Sequence, residues 1–143
     1  MTSTSLANTP PIRAIKTAGI IDHDLVTYAK KVNERYFDGK ATVSEIVFGI
    51  PDQVITHKGM VVPAAGLYPE TRRVVIHQAL REMRCPQYVF NYLIHHELAH
   101  LLYPPVGGEV HPWNFCARER NAPHRLKAIA WLEKKGFPVF RVS

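Results

Sequence analysis

The segment His-Glu-Leu-Ala-His, residues 96 to 100, combines two imidazoles and a carboxylate at a spacing that suits metal chemistry. On a helix, His96 and His100 lie on one face about one turn apart, so both rings can reach one ion. Glu97 points to the side of that pair, where it can reach a water bound to the ion. The spacing predicts a Zn²⁺ site that lowers the pKa of its water to about 7, with Glu97 as the catalytic base.

A catalytic zinc site of this kind needs a third protein ligand. We favour His111, because a helix that returns antiparallel after the turn would bring it back to the second histidine. Glu119 is a rival ligand, or it holds a ligand histidine by a hydrogen bond. Glu109, in the glycine-rich loop, is another candidate.

Other side chains near the motif receive different predictions. His95 lies about 100° from His96 around the helix, which favours a structural role or a contact with a ligand over direct ligation. His77 ends a predicted strand and Tyr103 ends the predicted helix, so both are candidates for the lining of a cleft. Together with His124 they are candidates to stabilise an oxyanion.

Prolines bracket the helix that must position the motif. Pro86 suits a first turn, and Pro104–Pro105 cannot continue a helix, which predicts a helix between them. Its motif-bearing face is expected to carry Val89, Leu93, His96 and His100.

Three further helices are predicted. Asp22 can cap one that ends at Asp38–Gly39, residues 111–120 are a second, and Pro123 can open a third that runs to about Lys135. The core face of the last helix is expected to carry Leu126, Ile129, Ala130 and Leu132.

Short apolar runs between the first helix and the motif predict strands. They span residues 43–50, 54–58, 60–68 and 72–77, with turn residues between them. Pro63 suits an edge strand or a bulge. Because the connections are short, the sequence predicts a small, mostly antiparallel sheet and an α+β fold.

The length and composition indicate how many domains the chain forms and which partners it can have. The 143 residues are 46% hydrophobic and 21% charged, which is typical of one globular domain. We expect a flexible arm over residues 1–18 and one domain over 19–143. No apolar run is long enough to span a bilayer and the N-terminus lacks a signal-peptide pattern, so we expect a cytoplasmic protein without a membrane partner. The formal charge of +6 permits DNA contact without showing it.

Beyond the motif, four segments resemble the SprT-like family of zinc metallopeptidases. They are VNERYFDGKATVSEIVFG, AGLYPETRRVVIHQAL, CPQYVFNYLIHHELAHLLYPP and HPWNFCARERNAPHRLKAIAWLEKKG, and the resemblance covers roughly residues 25 to 136. It implies a minimal zincin-like core of the gluzincin type, with a small sheet on three to four helices and the motif helix in the cleft. It also implies Zn²⁺ on His96, His100 and His111, with Glu97 as the base.

The resemblance implies an enzyme that hydrolyses protein or peptide substrates through a metal-activated water. Several family members carry a Cys-rich DNA-binding module that these 143 residues do not contain, so DNA contact stays open. The family often has Gly or Ser after the third ligand, where this chain has Pro112. The alternative is a catalytically weak, metal-containing regulatory or DNA-associated interaction module.

Overall fold

The computed structural model describes residues 23–141, an α+β structure in which that range forms five helices and five strands. The helices are α1 (Leu25–Phe37), α2 (Ala79–Glu82), α3 (Gln87–Leu102), α4 (Trp113–Glu119) and α5 (Arg125–Lys134). The strands are β1 (Glu45–Gly49), β2 (Val54–Thr56), β3 (Gly59–Val61), β4 (Ala65–Tyr68) and β5 (Arg73–His77). The predicted arm over residues 1–18 and the predicted cap Asp22 lie outside the described residues.

The strands form a three-stranded sheet in the order β1-β5-β4 and a separate β2-β3 hairpin. β4 runs antiparallel to β5, with Ala65 opposite Ile76, and the hairpin is also antiparallel, as predicted. β1 instead runs parallel to β5, and the hairpin and β4 provide the long connection that a parallel pair requires. The predicted strand over 60–68 is two strands, β3 and β4, and Pro63 lies between them without an N–H to donate.

Helix α3 runs through the centre of the molecule. It contacts α1, α4, α5 and β4. Its buried side chains lie on most of its faces and include Val89, Phe90, Ile94, Leu98 and Ala99. Each large apolar side chain stabilises the fold by about 1.5–3 kcal/mol when fully buried, so α3 is a rigid platform for the motif.

The ends of α1 are fixed by side chains. The Asp24 carboxylate caps the helix by accepting a 3.0 Å hydrogen bond from the Thr27 N–H. Asp38 has a left-handed conformation that ends the helix where the sequence predicts. The buried Asn33 side chain accepts a 2.7 Å hydrogen bond from the Ala41 N–H, which turns the chain toward β1.

The prediction for the core face of α5 is partly wrong. Ile129 and Leu132 are buried as expected, but Ala128 is buried with them, Leu126 is 67% exposed and Ala130 is exposed. At 100° per residue the buried arc is centred between Ala128 and Ile129, so Ala130 lies on the far side of the helix.

No helix within residues 23–141 is long and apolar enough to cross a membrane.

Candidate metal centre

Three histidines from two elements converge beside the centre of α3. His96 and His100 lie one turn apart on α3, and His111 immediately precedes the N-cap residue of α4. One ring nitrogen from each histidine lies within 4.8 Å of the others. The Nε2 atoms of His96 and His100 are 3.2 Å apart. Prolines end α3, and the turn that follows brings His111 back, so these three residues form a group that can bind a metal ion.

Glu119 fixes the orientation of His96 from behind. Its carboxylate accepts a 3.1 Å hydrogen bond from His96 Nδ1 and a 2.6 Å hydrogen bond from the Tyr92 hydroxyl. Burial opposes ionisation of Glu119, but the hydrogen bonds from His96 and Tyr92 lower its pKa. An ionised carboxylate only accepts, so Nδ1 of His96 carries the proton and Nε2 is turned toward the other histidines.

The charges of the cluster favour a cation among the rings. Burial opposes a charge on His96, but the hydrogen bond to Glu119 and the charges of Glu97 and Glu119 raise its pKa. Burial, with smaller contributions from the neighbouring histidines, lowers the pKa of His100 to about 2, and burial also lowers the pKa of His111. The Nε2 atoms of His96 and His100 face each other at 3.2 Å, and a metal cation bound by both is a favourable occupant of that space.

Glu97 lies next to this group in a different environment. Its side chain is only 5% exposed. Burial raises its pKa to about 7, because the nearby His96 charge only partly offsets the lost hydration. It lines a small cavity together with His96 and Tyr92 of α3 and with residues 63–65. A buried carboxyl that titrates near neutral pH can both accept and return a proton.

Aromatic rings pack on His100 and His111. Phe115 of α4 stacks on His100 at 4.3 Å between centroids. Phe140, which follows α5, stacks on His111 at 3.8 Å with the planes 19° apart. The Phe115 stack restricts the ring rotation of His100, and the Phe140 ring covers one face of His111.

His95 lies on a different face of α3. It is fully buried against Phe37, at 4.9 Å, and Tyr36, at 5.3 Å. Neither ring nitrogen has a hydrogen-bond partner among the described residues. Burial lowers its pKa to about 4, so the ring is neutral at pH 7.

Three other sequence candidates do not belong to the converging group among the described residues, although the charge of Glu109 acts on His111. Glu109 is exposed in the turn and belongs to no metal-binding group within the described range. Tyr103 caps α3, and its hydroxyl lies 3.5 Å from Arg118. His77 ends β5, where its Nδ1 accepts a hydrogen bond from the Ala79 N–H. The small cavity beside Glu97 is lined by neither Tyr103 nor His77.

Three residues of the site were not singled out from the sequence. Tyr92 had a usable signal, since it lies four residues before His96 on the same helix and side chains at that spacing share a face. Phe115 lies on α4 while His111 precedes that helix, so helical spacing does not link them. Phe140 lies in an irregular segment and has no periodic relation to the motif, so only the tertiary structure reveals its contact with His111.

No protein-family model matches the chain, and no curated protein matches it. In three dimensions the chain is similar to the crystal structure of the metallopeptidase zymogen of Methanocaldococcus jannaschii jannalysin. The TM-score is 0.53 and the sequence identity is 15%, over 80% of this chain and 94% of that chain. The chain has a metallopeptidase-like fold. The expectation of an α+β fold with a small sheet packed on helices is therefore confirmed.

Proposed function

We propose that this chain is a zinc-dependent metallopeptidase of the SprT-like type that hydrolyses peptide bonds. The observation that carries the proposal is the convergence of His96, His100 and His111 within 4.8 Å, with the buried Glu97 beside them. The metallopeptidase-like fold supports it, because fold and site point to the same class of chemistry.

The residues present fit zinc. Tetrahedral zinc with Zn–N bonds of about 2.0–2.1 Å places ligand nitrogens about 3.3–3.4 Å apart. The separation of 3.2 Å between the Nε2 atoms of His96 and His100 is close to that value. Neutral imidazoles suit zinc, and a carboxylate behind a ligand histidine is the usual supporting partner. We assign His96, His100 and His111 as ligands, with Glu119 supporting His96.

The proposed chemistry divides between the ion and the chain. Zinc, when bound, supplies a Lewis acid that polarises a carbonyl and makes water more acidic. The carboxylate of Glu97 accepts the proton of the attacking water and returns it to the nitrogen of the leaving amine, so one residue serves as base and then as acid. Burial of Glu97 shields it from bulk water and raises its proton affinity above that of an exposed carboxylate, which favours acceptance of the proton.

Digestion of an unbiased peptide library tests the proposal. The zinc-loaded protein is expected to create new termini at peptide bonds, read by mass spectrometry. Cleavage should stop when a chelator removes zinc and return when zinc is added back. Cleavage that persists at full rate in the metal-depleted protein would rule out a zinc mechanism, and an absence of new termini from the loaded protein would rule out peptidase activity.

A second candidate function is a DNA-associated interaction module with weak catalysis. A groove of about 460 Å³ lies between α1 and the start of α3, and Lys31 and Arg35 line it together with Tyr28 and Tyr36. Cations beside aromatic rings are the combination that binds single-stranded nucleic acid, through phosphates and stacked bases.

The two functions are separated by charge reversal in this groove. If the groove binds DNA, Lys31→Glu with Arg35→Glu should abolish the low-salt binding of a fluorescent single-stranded oligonucleotide and leave peptide cleavage intact. Lys134→Glu with Lys135→Glu, at the end of α5, is the control for net charge. Equal binding by the two double variants, or no binding by the natural protein, would eliminate the groove as a DNA site.

A further inference from the structure

The chain after α5 runs back over the candidate metal centre. We name residues 137–141 the cover segment. Phe140 stacks flat on His111 at 3.8 Å and lies 6.1 Å from the His96 ring. Its ring is also 5.9 Å from Phe115. The cover segment therefore packs directly on two of the three histidines and is not a remote tail.

The cover segment also closes the space next to Glu97. Pro138, Val139 and Phe140 line the same cavity as Glu97, opposite residues 63–65 that lead into β4. That cavity measures about 70 Å³. Sites that take organic ligands commonly have roughly 300–1,000 Å³. The cover segment therefore occupies space beside Glu97 and His96 that an extended peptide at the metal centre would need.

The attachments of the cover segment are few. The Phe137 N–H donates a 3.0 Å hydrogen bond to the Leu132 carbonyl, and the Phe137 ring meets His77 edge-on at 5.4 Å. Within the part of the chain that the structure describes, residues 138–141 make no backbone–backbone hydrogen bond. Arg141 pairs with Glu133 of α5, and both side chains are largely exposed, so this pair stabilises little.

We propose that the cover segment is a reversible internal inhibitor that occupies the place of a peptide substrate, an inference that rests on the proposed peptidase function. Side-chain contacts hold the segment: the rings of Phe137 and Phe140, the packing of Val139 on the core and one exposed ion pair. Because residues 138–141 add no backbone–backbone hydrogen bond within the described range, the segment can open without unfolding the helices and strands. The observed activity scales with the fraction of molecules in which the segment is open. Weakening the Phe140 stack or the ion pair should therefore increase activity.

The test uses two variants of the full chain and one matched control. Phe140→Ala removes the stack on His111, and Glu133→Gln removes the ion pair but keeps Phe140. Leu126→Ala, on the exposed face of α5, is the control for truncating a large apolar side chain. The first readout is kcat/KM of the zinc-loaded proteins on a library-derived peptide. The second is the rate at which diethyl pyrocarbonate acylates His111 in the metal-free proteins, followed by mass spectrometry.

The expected result is a rise of about tenfold in kcat/KM for Phe140→Ala, since an aromatic stack of this kind contributes about one order of magnitude to a closed population. Glu133→Gln should give a smaller rise, and both variants should acylate His111 faster, whereas Leu126→Ala matches the natural protein. If the natural protein cleaves peptides and neither variant is faster, the cover segment is a fixed wall and the inhibition is overturned.

The failure of the peptidase function has a separate signature. In that case none of the proteins cleaves peptides, and the acylation of His111 alone decides whether the segment is a removable cover. Faster acylation in Phe140→Ala and Glu133→Gln than in Leu126→Ala supports the cover. Equal rates in all four proteins overturn it.

Discussion

At the scale of single residues, the candidate site depends on which side chain reaches the ion and which one supports a ligand. His111 contributes a nitrogen to the converging group, while both carboxylate oxygens of Glu119 are hydrogen-bonded, one to His96 and one to Tyr92. A carboxylate that is engaged on both oxygens is a poor ligand and a good orienting partner.

This difference predicts the zinc affinities of three variants. His111→Ala should lose most of the zinc affinity, because only two protein ligands remain. Glu119→Gln should weaken binding by about 10–100-fold, the usual effect of losing a supporting carboxylate. Glu109→Gln, in the exposed turn, should bind zinc like the natural protein. Competition with a chromophoric chelator measures all three.

One result would reverse the assignment of His111 as the third ligand. If His111→Ala keeps one zinc per chain at natural affinity while Glu119→Gln loses it, Glu119 is the third ligand and His111 is not.

His95 carries a prediction about stability and pH. Burial without a hydrogen-bond partner lowers its pKa from 6.5 in the unfolded chain to about 4 in the fold. Between these values the unfolded chain binds more protons, so His95 costs stability as the pH falls from 6.5 toward 4. His95→Leu should be more stable than the natural protein at every pH, and its advantage should grow by about 3 kcal/mol over that window.

Denaturant unfolding of the metal-free proteins at pH 7 and pH 4.5 measures the effect of His95→Leu. The zinc stoichiometry of the variant should stay unchanged. A variant that is less stable than the natural protein at pH 7 would mean that the imidazole has a hydrogen-bond partner in solution.

At the scale of elements, α3 could be predicted from the sequence because local chemistry defines both ends. Pro86 precedes its first residue and Pro104–Pro105 follow its last turn. The parallel pairing of β1 with β5 could not be predicted, since the sequence of a five-residue strand does not indicate which strand it pairs with or in which direction. The buried face of α5 was predicted only in part, because its alternating Ala and Leu residues fit more than one helical phase.

The turn that returns the chain to His111 gives the prediction at this scale. Gly107 has φ +61 and Gly108 does not have a positive φ, and a methyl group would meet open space at both. Gly107→Ala should therefore lower the free energy of unfolding by about 1 kcal/mol through backbone strain alone, and Gly108→Ala is the matched control.

Thermal unfolding measures both glycine variants, which should keep their zinc. Equal midpoints for the two variants would show that the left-handed conformation at Gly107 does not constrain the turn.

At the scale of the whole molecule, the fold brings the parts of the site together from distant stretches of sequence. Helix α3 supplies His96, Glu97 and His100, and the next stretch of chain supplies His111 and, on α4, Glu119. The segment after α5 places Phe140 on His111 and near His96. The residues of the motif could be proposed from the sequence because their spacing is local, whereas Glu119, nineteen residues after His100, is a candidate both for a rival ligand and for a supporting partner. The sequence could not predict the cover, because that contact depends on how α5 packs against α3.

The likeness to the metallopeptidase zymogen, at 15% identity, lies in the fold. It shows that this arrangement of helices and strands is one that a metallopeptidase uses. The chemistry of this chain depends instead on whether Glu97 acts on water beside a bound zinc ion.

Zinc content and peptide cleavage measured on the same samples of the natural protein and Glu97→Gln test that claim most directly. The amide keeps the size of the side chain but cannot accept the proton of water. We predict one zinc per chain in both proteins and a loss of cleavage by at least about a hundredfold in Glu97→Gln. Equal zinc content with equal cleavage in the two proteins would contradict the role of Glu97 and, with it, the proposed mechanism.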